Sequence, residues 1–332
     1  MSLPGPDPLA GSSRDFGALP GADLAAKAAA FTAWFDARVQ HGGFAYSKRL
    51  TRAPGPDCPL RYADGRVYPG HNFSSQDYLG LGSHPEITGA ARRAIERYGV
   101  HSAGSTALAG ATELSDELEA ALAAHLDMPF VTLYPTGWAA GYGVVRGLVR
   151  SSDHVIIDVL AHNCLQEGAA AATNNVHYFR YHSPTNAHSN ALSPVQHAVV
   201  LAALKIIRSA EGDRRRTGLL AAAHALRGGL VAQQQAVLGA PGPIVPVLVG
   251  RDDVARTAIK LAAEAGVHSN LIEYPVVARH AARLRLQVMS NHEPSACEVA
   301  ARTIAAAIAQ AKEACAHRDD EAAPEILSPN VR

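Results

Sequence analysis

Between Glu113 and His125, apolar positions recur every third or fourth residue. Leu114, Leu118, Ala121, Leu122 and Leu126 share one face and acidic residues fill the other, so the segment predicts an amphipathic helix. The short apolar run Phe130 to Tyr134 predicts a buried strand, the turn Pro135-Thr136-Gly137 opens an apolar helix through Val149, and His154 to Asp158 predicts a second strand. Strand and helix alternating at these lengths from Pro85 onward predict an α/β domain with a largely parallel sheet covered on both faces. The second half predicts a helix from Pro194 to Ser209, an alanine-rich helix to about Val237 and a strand from Ile244 to Val249. A helix from Val254 to Ala265, a half-buried strand from Arg283 to Met289 and a terminal helix from Ser295 to Ala316 follow.

Ahead of these elements, residues 1–20 are rich in Pro, Gly and Ser and predict a flexible arm that buries too little apolar surface to offset its ordering entropy. Ala22 to Gln40 predicts a helix with Leu24, Phe31, Trp34, Phe35 and Val39 on one stripe, and the Gly- and Pro-rich stretch after it predicts loops and short strands. The expected organisation is an N-terminal helix and lead-in over 21–70, a large α/β domain over 71–209, a smaller C-terminal α/β subdomain over 210–318 and a flexible tail over 319–332. No internal repeat is evident.

Charge narrows the function classes. Thirty basic and thirty acidic residues balance to a formal net charge of +0, which supplies no field to attract a phosphate backbone or an anionic lipid surface. Nucleic acid is therefore not expected as a partner, and small molecules or proteins are. The four cysteines (Cys58, Cys164, Cys297 and Cys315) are far apart and lack the paired spacing of zinc or redox motifs, so reduced thiols, no structural metal and a cytoplasmic location are expected. No apolar run approaches the roughly 20 residues of a membrane span, and the start MSLPGPDPLAGSS has neither a basic region nor an apolar run.

Three places offer chemistry. The Thr136-Gly137-Trp138 turn joins a strand to a helix, which turns unpaired N–H groups and the positive helix end outward as an anion site with a flat indole beside it. An ordinary turn with a core tryptophan would read the same way. His162 follows a strand at the carboxyl edge of the expected sheet, where open α/β sheets place ligands; an imidazole there can stack on a planar ring or donate a proton, or simply be a hydrogen-bonded loop residue. Arg285 lies on a strand with Arg283 and Gln287 on the same face, and a guanidinium fork held on a rigid strand suits bidentate capture of a carboxylate, although solvated surface arginines fit as well. His177, His182 and His188 match neither helix nor strand spacing and read as a solvated loop rather than a metal site.

Several separate stretches, in order, resemble the α-oxoamine synthase family. They are Asn72-Phe-Ser-Ser-Gln-Asp-Tyr-Leu-Gly-Leu81, Tyr98-Gly-Val-His-Ser-Ala-Gly-Ser105, Thr136-Gly-Trp-Ala-Ala140, Asp158-Val-Leu-Ala-His162, Ser189-Asn-Ala-Leu-Ser-Pro194 and Ala282-Arg-Leu-Arg285, with His292 beyond. The resemblance runs from about residue 70 to 315. It implies a fold type I transferase dependent on pyridoxal 5'-phosphate (PLP), a homodimer with sites at the interface, and condensation of an amino acid with an acyl thioester of coenzyme A or a carrier protein. By the same resemblance, Thr136, Gly137 and Trp138 bind the cofactor phosphate and ring edge, and His162 stacks on its ring. Arg285 binds the amino-acid carboxylate, and Ser189 approaches the partner subunit's phosphate, although Asn190 stands where the family often has Thr.

One departure is large. Beyond His182 the chain passes almost directly to Ser189, without the family's Asp-Glu-Ala-His-like and Ser/Thr-x-x-Lys motifs. The missing lysine holds the cofactor covalently and moves the substrate Cα proton; the missing aspartate keeps the pyridine nitrogen protonated. The five lysines present, Lys27, Lys48, Lys205, Lys260 and Lys312, match no family lysine. Three explanations stand open: a central segment omitted near 183–189, which is preferred; a shortened, inactive homologue acting as a dimerisation or regulatory subunit; or a different reaction on the same scaffold.

Overall fold

The computed structural model describes residues 9, 11–17, 21–42, 44–155, 161–172 and 193–316. The chain divides into two units, one of residues 1–82 with 212–332 and the other of residues 83–211. Helices and sheets are both present, as an α/β chain requires.

The first unit is built round an antiparallel sheet. Strands β5 (Ile244–Gly250), β7 (Asn270–Ile272) and β8 (Ala282–Gln287) lie in the order β5-β8-β7. In β8 the alternation works as a strand should: Leu284 and Leu286 are buried, Arg283 and Arg285 half-buried on the opposite face. Helices α8 (Ala210–Ala232, in this unit from Gly212), α9 (Asp252–Glu264) and α10 (Pro294–Ala316) supply Leu226, Leu230, Ala258, Ala262, Ile304 and Ile308 to the same core. Along α10, Cys297, Ala300, Ala301, Ile304, Ala307, Ile308, Ala311 and Cys315 are buried at three- and four-residue spacing, so alanine here marks a helix seated close on its neighbours. The four cysteines are free and buried.

Short strands carry the chain into this unit. β1 (Arg49–Leu50), β2 (Leu60–Arg61) and β3 (Val67–Tyr68) form an antiparallel meander, and β4 (His71–Asn72) pairs in parallel with β6 (Val267–His268). Gly70 makes the β4–β6 pair possible: at φ 148° its Cα lies against Gly266 so closely that a Cβ would overlap that backbone. Before the meander come α1 (Ser13–Gly17) and α2 (Leu24–Gln40). The stripe expected on α2 is buried only in part. Trp34 is enclosed by Phe16, Phe31 and Phe44, while Leu24 is 83% exposed, because the covering segment reaches only the middle and end of the helix.

The second unit is helical among its described residues. Helix α3 (Pro85–Tyr98) starts on His84, whose ring nitrogen caps Glu86 N–H, and α7 (Pro194–Ile207) starts on a Ser193/Gln196 capping box. Ala90, Ala94 and Ala198 form their contact, with Leu114 of α4 (Glu113–Leu126) against it. Helices α5 (Gly137–Leu148) and α6 (Asn163–Ala170) form a second packed pair.

The parallel sheet expected here is not formed by the described residues. Phe130–Tyr134 is not a strand and Phe130 is 88% exposed, because a strand needs neighbours to satisfy its backbone and give its side chains a core. Of the expected strand at 154–158, His154 and Val155 are unpaired coil and the rest lies outside the described residues, as do His177, His182 and His188. No helix among the described residues is long and apolar enough to cross a membrane, and none of them forms a metal-ligating cluster.

Candidate active site

Thr136 and His162 are each the N-cap of a helix. Thr136 Oγ1 accepts from Ala139 N–H at 3.0 Å, and His162 Nδ1 accepts from Cys164 N–H at 3.3 Å with Cys164 Sγ at 3.0 Å. The threonine hydroxyl thus serves the helix first, while its own proton stays available to a ligand. Gly137 and Trp138 hold the first two positions of α5, whose N–H groups have no partner within a helix and lie at the positive end of the dipole. With Nδ1 of His162 accepting, the neutral ring carries its proton on Nε2, on an exposed side chain.

The helix pair brings these caps together. A Cβ at Gly141 would overlap Cys164 Sγ, and one at Gly168 would lie 3.0 Å from Tyr142 O and 3.2 Å from Val145 Cβ. The register 141 with 164 and 145 with 168 means that α5 and α6 run parallel, so both N-termini, with Thr136 and His162, lie at one end of the pair. Trp138 is 42% exposed there and stacks on Tyr142 with centroids 5.1 Å apart, which rules out a core tryptophan and leaves aromatic surface at the same end. Ser189 lies outside the described residues.

In the other unit Arg285 sits on β8 opposite Asn270 of β7 and Pro246 of β5. Its Nε is buried without a hydrogen-bond partner, whereas Gln287 on the same face is satisfied by Asn270 Nδ2 at 3.0 Å and Tyr78 Oη at 3.1 Å. A buried guanidinium nitrogen left unpaired is costly unless an acceptor fills it, and a ligand carboxylate would do so. Asn270 also donates to Ser74 O at 3.1 Å, which seats the Asn72–Leu81 motif beside this face.

Sequence reading missed Lys48. Its half-buried side chain lines a cleft of about 350 Å³ with Ser74, Ser75 and Asn270, lies over the Tyr62 ring, and donates to Ser269 O. Burial lowers its pKa to about 7. Nothing around position 48 announces this, because the groups around the amine come from elsewhere in the chain: Tyr62, Ser74 and, 221 positions on, Ser269. As to PLP, the cap end of α5 and α6 fits a phosphate and a planar ring. The covalent anchor does not fit: Lys205, on the exposed side of α7, is the one lysine in residues 83–211.

The aminotransferase class I and II model matches residues 69–192 and 182–304, in two stretches that meet where the sequence jumps from His182 to Ser189. The 8-amino-7-oxononanoate synthase of Methylobacterium sp. (strain 4-46) is 40% identical over 118 residues, 36% of this chain and 31% of the relative, so the chain spans about a third of that relative's length. The same-named protein of Salmonella newport (strain SL254) is 25% identical over 342 aligned positions, covering 71% of this chain and 88% of the relative. That share of 332 residues is about 236, so about a hundred aligned positions have no counterpart here. Among solved structures, a serine palmitoyltransferase from S. paucimobilis with a bound PLP-myriocin aldimine has TM-score 0.79 at 15% identity, covering 88% of this chain and 100% of that one. The 8-amino-7-oxononanoate synthase of Francisella tularensis has TM-score 0.58 at 14% identity, covering 72% and 97%. These neighbours show the fold type I architecture; with the family model matched over most of its length, the chain belongs to the aminotransferase class I and II family, among the α-oxoamine synthases its motifs resemble.

Proposed function

We propose that this chain is the scaffold of a PLP-dependent acyltransferase that condenses an amino acid with an acyl thioester, carried by coenzyme A or a carrier protein. The observation that carries the reading is the parallel α5–α6 pair, with the Thr136 and His162 caps at one end and the aromatic surface of Trp138 beside them. Gly137 and Trp138 N–H groups with the Thr136 hydroxyl bind the phosphate, His162 and Trp138 orient the ring, and Arg285 binds the amino-acid carboxylate. When bound, PLP supplies an electron sink for the substrate carbanion. The proposed organisation is the large domain over 71–209 and the subdomain over 210–318, paired as a homodimer.

A second reading, an inactive dimerisation or regulatory subunit, is favoured by one observation: no lysine matches the family anchor, and about a hundred aligned positions of the Salmonella relative have no counterpart here. Intact mass and the visible spectrum with added PLP separate the two. A mass above 34.8 kDa with an absorbance band that borohydride fixes supports the acyltransferase; the 34.8 kDa chain without such a band supports the subunit. Protein of either mass that does not bind PLP at all overturns the cofactor site.

A further inference from the structure

Lys48 takes no part in the reading above, yet its setting is that of a reactive amine. The side chain arrives from the segment before β1, lies over Tyr62 with Nζ 5.5 Å from the ring centroid, and places Nζ 3.5 Å from Ser74 Oγ and in a hydrogen bond to Ser269 O. No carboxylate pairs with it among these contacts. A neutral amine can donate to the Ser269 carbonyl and keep its lone pair, whereas an ammonium here would want an anion. Tyr46, Ser74, Ser75 and Asn270 line the same cleft. Asn270 is the cross-strand partner of Arg285, and directly paired residues project from the same face of a sheet about 5 Å apart. Lys48 and Asn270 thus share the cleft, and the cross-strand neighbour of Asn270 carries a guanidinium with an unsatisfied buried Nε.

We infer that Lys48 is a carbonyl-capturing amine for small oxo acids, with the carbonyl carbon at Nζ and the carboxylate at Arg285. In the reaction the Nζ lone pair forms the C–N bond to the carbonyl carbon. The carbonyl oxygen leaves with both amine protons as one water, and a C=N bond remains; no electrons are gained or lost. The Ser74 hydroxyl is within reach of the departing oxygen. The inference shares Arg285 with the proposed function but requires neither PLP nor the missing lysine motif.

The ionisable groups facing Nζ are consistent with a neutral amine near pH 7. Burial holds its pKa at about 7, the Tyr62 hydroxyl is pushed upward by burial and stays neutral, and His268, coupled to Lys48, is held neutral with a pKa of about 4. Tyr46 is likewise shifted upward, first by burial and then by Glu273. A lysine of ordinary pKa would be less than 0.1% neutral at pH 7, against about half for this one.

The test is reductive trapping on the purified chain without PLP. Glyoxylate and, separately, acetaldehyde are added at pH 7 with cyanoborohydride, and adducts are mapped by peptide mass spectrometry over the five lysines. The expected result is trapping of glyoxylate at Lys48 at least about tenfold faster than at any other lysine, and at least about tenfold faster than acetaldehyde at Lys48. Lys48→Arg, checked by circular dichroism, removes the fast site, and Arg285→Lys keeps more of the glyoxylate preference than Arg285→Ala. Trapping at Lys48 no faster than elsewhere overturns the reactive amine; equal rates for the two aldehydes overturn the oxo-acid assignment. Because the adduct is read by mass with no PLP present, failure here is separate from failure to bind PLP.

Discussion

Gly141 of α5 stands against Cys164 of α6 with no room for a side-chain carbon between them. That contact fixes how near the Thr136 and His162 caps can come, since His162 sits two residues before it and Thr136 five, within a turn and a half. Gly141→Ala should therefore force the helices apart and cost about 1–3 kcal/mol by overpacking. Urea unfolding should show the loss, and PLP fluorescence titration should show weaker cofactor binding. Adding Cys164→Ala should return most of both; a double variant no better than Gly141→Ala would mean that the contact does not set the site.

Arg256 and Glu273 form a buried pair at 2.6 Å, with side chains 8% and 7% exposed, and Tyr46 Oη donates to the same carboxylate at 3.2 Å. Removing one partner strands the other charge away from water. Arg256→Met should destabilise the chain by roughly 3–5 kcal/mol in urea unfolding, and Glu273→Gln, which keeps the shape and an acceptor, by less. Equal costs would point to lost packing rather than the unpaired charge.

How much of this was legible in the sequence depended on range. Helix Glu113–Leu126 and strand Ala282–Gln287 follow from local periodicity, and the Arg283/Arg285/Gln287 face is as the alternation predicts. Local pattern places Thr136 in a helix-opening turn and His162 after a strand or in a loop, but the N-cap role of each is seen only in the structure. Their common placement was not legible either, since it depends on Gly141 meeting Cys164, and glycines inside a helix pattern otherwise look like weak points. Phe130–Tyr134 shows the opposite failure: a short apolar run has strand propensity, but a strand forms only where other strands pair with it. Lys48 was invisible for the same reason, since its burial comes from Ser269, Asn270 and Tyr62 rather than from its neighbours in sequence.

His268 and His292 make stability pH-dependent. His268 receives the Tyr62 hydroxyl at 3.0 Å on Nδ1, and His292 caps Met289 N–H at 3.0 Å while stacking on Phe73. Burial, with smaller repulsion from Lys48 for His268 and from His71 for His292, lowers both pKa values from 6.5 to about 4. Between pH 6.5 and 4 the unfolded chain binds protons that the folded chain refuses, so stability falls as pH falls, by up to about 1.4 kcal/mol per unit for each histidine. Above pH 6.5 neither contributes a slope. Urea midpoints from pH 7.5 to 4.5 should show the decline, and His292→Asn should flatten part of it; an unchanged slope would remove His292 from the account.

Arg285 offers the sharpest check on the substrate reading. Its Nε is buried with no partner in a strand whose neighbours on the same face are satisfied, so a ligand carboxylate gains a charge-assisted bond without displacing a protein group. Arg285→Ala should weaken amino-acid binding by about 1.5–3 kcal/mol, roughly ten- to a hundredfold in Kd. Isothermal titration of the PLP-loaded chain with a panel of amino acids measures it, and amino-acid amides supply the control. For the amides, which lack the carboxylate, wild type and Arg285→Ala should bind alike. If the substitution weakens acid and amide equally, the guanidinium supports the strand and does not hold the carboxylate.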